Sequence, residues 1–460
     1  MELLLIMNDS YKKIILVVLV LGVISFLIGG ILGLRSKNKK LTETNNEVRS
    51  FTQASFIEST IKNSNGDFIE KKKEKLLEKE KDFITINLEE MKVKLYRKGK
   101  LSETYPVLSK GKEGSWWETP TGSYNVVSKE ASHYSSIGEV WMPWSIKFYG
   151  NFYVHGWPYY PNGQPVREEF SGGCIRLSDE VAKSVFKFVE REMPLLLYNE
   201  EGNKEVASLE GNSKLKPPQI TAESAFVADF ETGQVILNKN ADSVKPIASV
   251  TKLMSGVVAS EVIYLERQVK INERMLRDAV QSYPLQVGST YKVFDLLYPF
   301  LQQSSNGAGR AIAASFGEER FIKQMNKKAD SLGMDNSEFV DPNGVSKNNV
   351  SSLREVFKLA NYILEKRRFL YDISKGEDYH VFGPTSFANI ETYNEFHDNS
   401  NLVGAKNGKT EAAGQTYASV WNFEYNNEQR YIFIGILGSE NRKKDAKEIV
   451  DWLEENFKLQ

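Results

Sequence analysis

Ser171-Gly172-Gly173-Cys174-Ile175-Arg176 is the stretch on which the reading of this chain turns. Cys174 is the only cysteine among 460 residues, and it stands behind two glycines and ahead of an apolar residue and an arginine. A thiol attacks carbon only as thiolate, so a nucleophilic cysteine needs a base and positive potential close by. Gly172 and Gly173 allow an unusual backbone path and a close approach to a substrate. Their N–H groups, with that of Cys174, are candidates for holding a developing oxyanion. The candidate base is His155, 19 residues upstream in Tyr153-Val154-His155-Gly156-Trp157, at the end of a strand-like run through Ile146, Phe148, Phe152 and Val154. The alternative is a buried free cysteine and a histidine packed by chance.

Working outward, the length predicts two or three domains. A net charge of −1 gives no reason to expect a nucleic-acid partner. A single cysteine excludes an intramolecular disulfide and suits a reactive thiol outside the cell. His133, His380 and His397 form no ligand-like cluster, so no metal or other cofactor is expected. Ile14 to Leu34 is a run of 21 residues without a charge, roughly 31 Å as a helix and enough to span a bilayer. No small-residue cleavage site follows it, which favours an uncleaved anchor over a signal peptide. Lys12 and Lys13 precede the run, whereas Arg35, Lys37, Lys39 and Lys40 follow it. Charge counting alone therefore places the body of the protein inside; only the chemistry argued below places it outside.

Residues 1–40 are read as a cytoplasmic tip and anchor, and 41–82 as a charged stalk. Within the stalk a helix is expected from Asp67, with Phe68, Ile69, Leu76 and Leu77 as its only apolar contacts. From Phe83 the pattern changes to period two, through Ile84, Ile86 and Leu88 and then Val93 and Leu95. A helix is expected only at Asp179 to about Arg191, before a last strand at Leu195–Leu197. Residues 83–200 thus form a mostly β domain. Residues 201–219 carry Gly, Asn, Ser, Lys and Glu and end near Pro217-Pro218, the composition of a linker. Such a linker leaves the flanking domains neighbours without locking them. In 220–460, strands at both ends enclose a helix-rich middle, which predicts an antiparallel sheet with an inserted helical subdomain.

That last region carries a second constellation. In Ser249-x-x-Lys252 a hydroxyl and an amine lie one turn apart on one helix face. A lysine that takes a proton from serine must have its ammonium form disfavoured, and burial and a second cation such as Lys406 both do this. Ser304-Ser305-Asn306 ends a helical run, and Lys406-Asn407-Gly408 follows in a strand-like segment. A strand at a cleft edge can take a peptide as an added strand and hold its terminal carboxylate.

Two families are recognisable in these residues. Residues 83–200 resemble the L,D-transpeptidase catalytic domain, through Thr119-Pro120-Thr121-Gly122, Met142-Pro143, His155-Gly156 and Ser171 to Leu177. The resemblance implies that Cys174 is the acylated nucleophile and His155 its base. It gives Gly156 a carbonyl that orients the imidazole, and Arg176 a part in positioning the loop or substrate. Gly172 stands where this family usually has histidine. Residues 220–460 resemble the D-alanyl-D-alanine carboxypeptidases, the low-molecular-mass penicillin-binding proteins, whose active-site motifs match in order. Pro246 to Met254, Leu296 to Asn306, Ser331-Leu332-Gly333-Met334 and Asp341-Pro342-Asn343-Gly344 support this. By that resemblance Ser249 is nucleophile and Lys252 its base, Ser304 and Asn306 form the second motif, and Lys406 leads the third. Asn407 replaces the usual threonine, and Gly307 an aspartate that commonly follows the asparagine; an asparagine amide still donates to a carboxylate.

The fold class these resemblances imply is multidomain: a transmembrane helix, a mostly β L,D-transpeptidase-like domain and an α+β penicillin-binding-protein-like domain. The implied function is a two-headed peptidoglycan enzyme of the bacterial cell membrane, acting on stem peptides and inhibited by β-lactams. Ser249 trims pentapeptide stems to tetrapeptides, and Cys174 passes tetrapeptides through a thioester into cross-links. Two alternatives stand beside it: a serine domain that only binds the wall, and a cysteine domain that hydrolyses or exchanges D-amino acids.

Overall fold

The structure, a computed structural model, describes residues 55–58, 64–199, 208–211, 216–277, 284–379 and 382–459, apart from 384, 388–389 and 426–427. The apolar run Ile14–Leu34 and His380 lie outside the described residues. No helix among the described residues is long and apolar enough to cross a membrane.

The first elements are β1 (Ser55–Glu58) and α1 (Ser64–Glu78), inside the segment expected to be a stalk. Strands β2 (Phe83–Asn87), β3 (Lys92–Arg97), β4 (Lys100–Pro106) and β5 (Gly122–Asn125) follow. A second sheet begins with β6 (Ser128–Ser135), β7 (Val140–Tyr149), β8 (Phe152–His155) and β9 (Ile175–Arg176). Helix α2 (Asp179–Phe188) and β10 (Pro194–Tyr198) complete this half. The sheet orders are β4-β3-β2-β10-β5 and β6-β7-β8-β9. Ser178 caps α2 by accepting from the Val181 amide.

The stalk expectation is corrected over the described residues. Ile69 and Leu76 of α1 are buried with Phe83, Tyr96 and Leu196, and β1 pairs antiparallel with the strand at Val235–Lys239. A helix with one apolar stripe finds a face to cover, and here it covers the sheet at Phe83 of β2, Tyr96 of β3 and Leu196 of β10. Phe83 is thereby buried on the sheet face opposite Ile84 and Ile86, and all five residues of β2 are buried.

In the second half, β11 (Ser224–Asp229) and β12 (Val235–Lys239) lead to α3 (Thr251–Val262). Helices α4 (Val293–Gln302), α5 (Asn306–Phe316), α6 (Glu318–Ser331) and α7 (Leu353–Lys366) form the inserted layer. Strands β13 (Leu402–Thr410), β14 (Gly414–Tyr425) and β15 (Glu428–Ser439) and helix α8 (Arg442–Asn456) close the chain. The sheet order is β1-β12-β11-β15-β14-β13, so β13 is an edge.

The two halves are locked rather than loosely joined, which corrects the linker expectation. Leu209–Gly211 pairs with Phe457–Leu459, and Trp452 Nε1 donates to the Lys216 carbonyl at 2.8 Å. Between the halves, Lys366 Nζ lies 2.5 Å from Glu118 Oε1, with both side chains buried. Fully buried Glu261, at the end of α3, pairs with Lys328 at 3.0 Å and Arg367 at 2.8 Å. Lys328 also donates to the Tyr124 hydroxyl of β5 at 3.1 Å. Buried charges are tolerated only when paired in this way.

Candidate active sites

The serine constellation assembles at the N-terminal end of α3. Ala248 takes a left-handed conformation (φ 48°), unusual for a residue with a side chain, and turns Ser249 toward the cleft as the helix begins. Lys252 Nζ lies 2.9 Å from Ser249 Oγ, 2.9 Å from Asn306 Oδ1 and 2.8 Å from the Asn343 carbonyl. The lysine is completely buried, and burial first, then the charge of Lys406, push its pKa well below the usual value. Asn306 is positioned as the first residue of α5, which Ser305 caps by accepting from the Ala308 amide. Ser304 precedes it in a left-handed conformation (φ 57°) at the turn out of α4.

The third motif lies on edge strand β13. Burial, then Arg442, lower the Lys406 pKa to about 7. Gly408 passes so close that an added Cβ would stand 2.7 Å from the Ser249 amide nitrogen, which explains a glycine there. Asn407 behaves otherwise than expected. Its Nδ2 donates to the Tyr393 carbonyl at 2.8 Å and to Glu395 Oε2 at 3.1 Å, while Oδ1 accepts from Lys406 at 3.0 Å. The amide donors reserved for a substrate carboxylate are thus occupied, and Glu395 is itself paired with Arg442 at 2.8 Å. The Glu395–Arg442 pair had no signal in the sequence, because it joins a loop to a helix 47 residues away.

In the cysteine half, β9 runs parallel to β8, with Val154 opposite Ile175 and His155 opposite Arg176. This pairing brings Cys174 and His155 into one cavity of about 840 Å³. His155 is buried, and its Nδ1 donates to the Gly156 carbonyl at 2.6 Å. That contact fixes the tautomer and leaves Nε2 with its lone pair. Burial pushes the imidazole pKa down to about 4 and, as the largest influence, the thiol up to about 11. The Tyr153 amide and Arg176 oppose the rise at sulfur. Cys174 Sγ is 3.7 Å from the Asn151 carbonyl, a contact made by a turn residue that no motif signals.

Gly173 (φ 98°) would place a Cβ 2.4 Å from the Phe152 ring, so no other residue fits. One expected oxyanion donor is lost, because the Gly173 amide donates to Ser171 Oγ at 3.1 Å. Ser171 in turn donates to the Cys174 carbonyl. Arg176 donates through Nη1 to the Glu168 carbonyl at 2.6 Å, while its buried Nε lacks a protein partner. Among the described residues no group of His, Cys, Asp and Glu could hold a metal ion.

A hydroxyl beside a buried amine, on a helix packed under an antiparallel sheet, is the arrangement of serine acyl-transfer enzymes of the penicillin-recognising type. The chain belongs to the D-alanyl-D-alanine carboxypeptidase family, whose family model matches residues 212–426, and it also carries an L,D-transpeptidase catalytic domain, matched over 81–205. It is 31% identical over 259 residues to the D-alanyl-D-alanine endopeptidase of Escherichia coli, covering 54% of this chain and 82% of that protein. It is 38% identical over 146 residues to the D-alanyl-D-alanine endopeptidase of Pseudomonas aeruginosa, covering 31% of this chain and 47% of that relative. A D-alanyl-D-alanine carboxypeptidase structure from Mycobacterium tuberculosis aligns at 20% identity and TM-score 0.46, over 53% of this chain and 94% of that one.

Proposed function

We propose that this protein is a bifunctional peptidoglycan enzyme, anchored through Ile14–Leu34 with both domains outside the cytoplasmic membrane. At the serine site, Ser249 Oγ attacks the carbonyl of the D-Ala–D-Ala bond while its proton passes to neutral Lys252 Nζ. The C–N bond breaks, D-Ala leaves with that proton, and water cleaves the ester to release a tetrapeptide. Asn306 and Lys406 hold the lysine and the substrate. At the cysteine site, His155 Nε2 takes the thiol proton as Sγ attacks the carbonyl before the tetrapeptide's terminal D-Ala. The proton goes to the departing amine, leaving a thioester that a neighbouring stem's side-chain amine then attacks. Gly156 orients the imidazole, and Arg176 braces the loop through the Glu168 carbonyl.

The observation that carries the reading is a completely buried lysine 2.9 Å from a serine hydroxyl, because burial is what makes an amine a base near neutral pH. Intact-mass measurement on wild type, Cys174→Ala and Ser249→Ala tests it. A penicillin adduct lost only in Ser249→Ala and a tetrapeptide thioester lost only in Cys174→Ala are expected; wild type bearing neither adduct overturns it.

One feature favours a second reading, in which the serine domain only binds the wall: the Asn407 amide is already engaged by Tyr393 and Glu395. Penicillin failing to label a protein that still forms the thioester decides for it. The relatives named endopeptidases make a cross-linked dimer of stems a substrate to run beside the free pentapeptide.

A further inference from the structure

The cavity above Cys174 is walled on one side by the hairpin of β6 and β7, and that hairpin contributes a second imidazole. His133 lines the same cavity as Cys174 and His155. Its Nδ1 is 3.0 Å from Glu130 Oε2, and its ring stacks on Tyr153 with centroids 4.7 Å apart and planes 25° apart. Glu130 accepts a hydrogen bond from Nδ1–H, so in the neutral ring the lone pair sits on Nε2. Tyr153 and His155 are two residues apart on β8, so they share a face of the sheet. Charge on His133 opposes charge on His155, and charge on Cys174 is felt at Tyr153. Gly172 offers no side chain here, and a Cβ added to it would meet nothing within 4 Å. The space beside the thiol is therefore open on the loop side.

The chemistry of cross-linking leaves a base unassigned. An acceptor arrives as an ammonium group and ends as an amide, so it gives up two protons. As nitrogen bonds to the thioester carbon and the C–S bond breaks, the electron pair returns to sulfur, and one proton follows it through His155. The other proton must leave before attack, because an ammonium nitrogen has no lone pair. Buried His155, with its pKa pushed down to about 4, serves the sulfur and is a poor acceptor for a second proton.

We propose that His133, held by Glu130 and stacked on Tyr153, is the base that deprotonates the acceptor amine, and that the β6–β7 face of the cavity is the acceptor side of the site. Nε2 takes the first proton from the ammonium and passes it to solvent. The assignment rests on Cys174 as the nucleophile, and its test separates the two. A tetrapeptide donor is used to form the thioester on full-length wild type and His133→Gln, followed by intact mass, and each is then chased with an acceptor stem or with hydroxylamine. Hydroxylamine is already neutral near pH 7 and needs no base. Thioester formation and hydroxylamine release are expected to match wild type in His133→Gln, while release by the acceptor stem falls about 100-fold, the usual worth of a general base. Added imidazole is expected to restore acceptor release to His133→Ala, a rescue that a packing defect would not show. Acceptor release at the wild-type rate, or an equal loss with hydroxylamine, overturns the proposal. Wild type that forms no thioester overturns instead the assignment of Cys174.

Discussion

Burial does opposite things to the two sites, whose candidate bases Lys252 and His155 are both buried. Removing water disfavours whichever form is charged. For Lys252 the charged form is the idle one, so burial produces the neutral amine that a serine needs. For Cys174 the charged form is the reactive one, so burial holds the thiol up to about 11 while holding His155 down to about 4. On the proposed mechanism, burial therefore favours the base at the serine site. At the cysteine site it works against a standing thiolate–imidazolium pair.

That contrast is most sharply broken by a small alkylating reagent. The folded-state thiol pKa lies above its ordinary value, so the thiol form prevails until the pH nears about 11. Alkylation of Cys174 by iodoacetamide is therefore expected to climb about tenfold per pH unit from neutrality toward that point. A rate already level at pH 7 would mean a preformed thiolate. Next in size is Lys252→Met. It removes the proton acceptor 2.9 Å from Ser249, so fluorescent penicillin labelling should slow about 100-fold to 10,000-fold while thioester formation at Cys174 continues. Loss of both would show that the halves are not chemically independent.

The two proposed nucleophiles are nevertheless mechanically related. Ser249 precedes the first turn of α3. Asn151, whose carbonyl meets Cys174 Sγ, donates through Nδ2 to the Val262 carbonyl at the other end, at 3.3 Å. Twelve residues of helix, about 18 Å, separate those contacts, and Glu261 at the far end anchors the interface. Glu261→Gln leaves two buried cations, Lys328 and Arg367, short of their carboxylate, a change that costs about 3–5 kcal/mol. Thermal unfolding should show the loss as a large drop in midpoint, with both halves melting together. Asp67→Asn, at an exposed pair 2.6 Å long, should change stability by less than about 1 kcal/mol.

What the sequence made legible follows from how local each signal is. Ser249 and Lys252 are three apart, in the turn that leads into α3 and in its first turn, and His155 and Gly156 are adjacent, so spacing alone exposes them. The strands of both halves carry their pattern in themselves, as at Ile84, Ile86 and Leu88. What stayed hidden depends on contacts between distant segments. The α1 helix reads as a stalk because the face it covers is assembled from separate strands, through Phe83, Tyr96 and Leu196. Glu118, Glu261, Lys328 and Arg367 read as surface charges because each is neutralised only by another fold element. His133, on an otherwise exposed strand, gains meaning only when β8 places Tyr153 beneath its ring.

The smallest expected effect on turnover lies at the position where the serine site departs most from its family. Asn407 spends both amide hydrogens on Tyr393 and Glu395 and its oxygen on Lys406. Asn407→Thr replaces these with one hydroxyl too short to span the same partners. Lys406 keeps the backbone carbonyl of residue 407, 3.0 Å from its Nζ, so the lysine remains tethered. The hydroxyl is then free for an incoming carboxylate, and one such hydrogen bond is worth about 0.5–1.5 kcal/mol. Turnover of a peptide ending in D-Ala-D-Ala should therefore rise by about twofold to tenfold in kcat/KM, with thioester formation at Cys174 unchanged. A fall instead would assign Asn407 the task of tethering the Tyr393–Glu395 segment to β13, and the departure from threonine would then be a support for the cleft rather than a weakness in it.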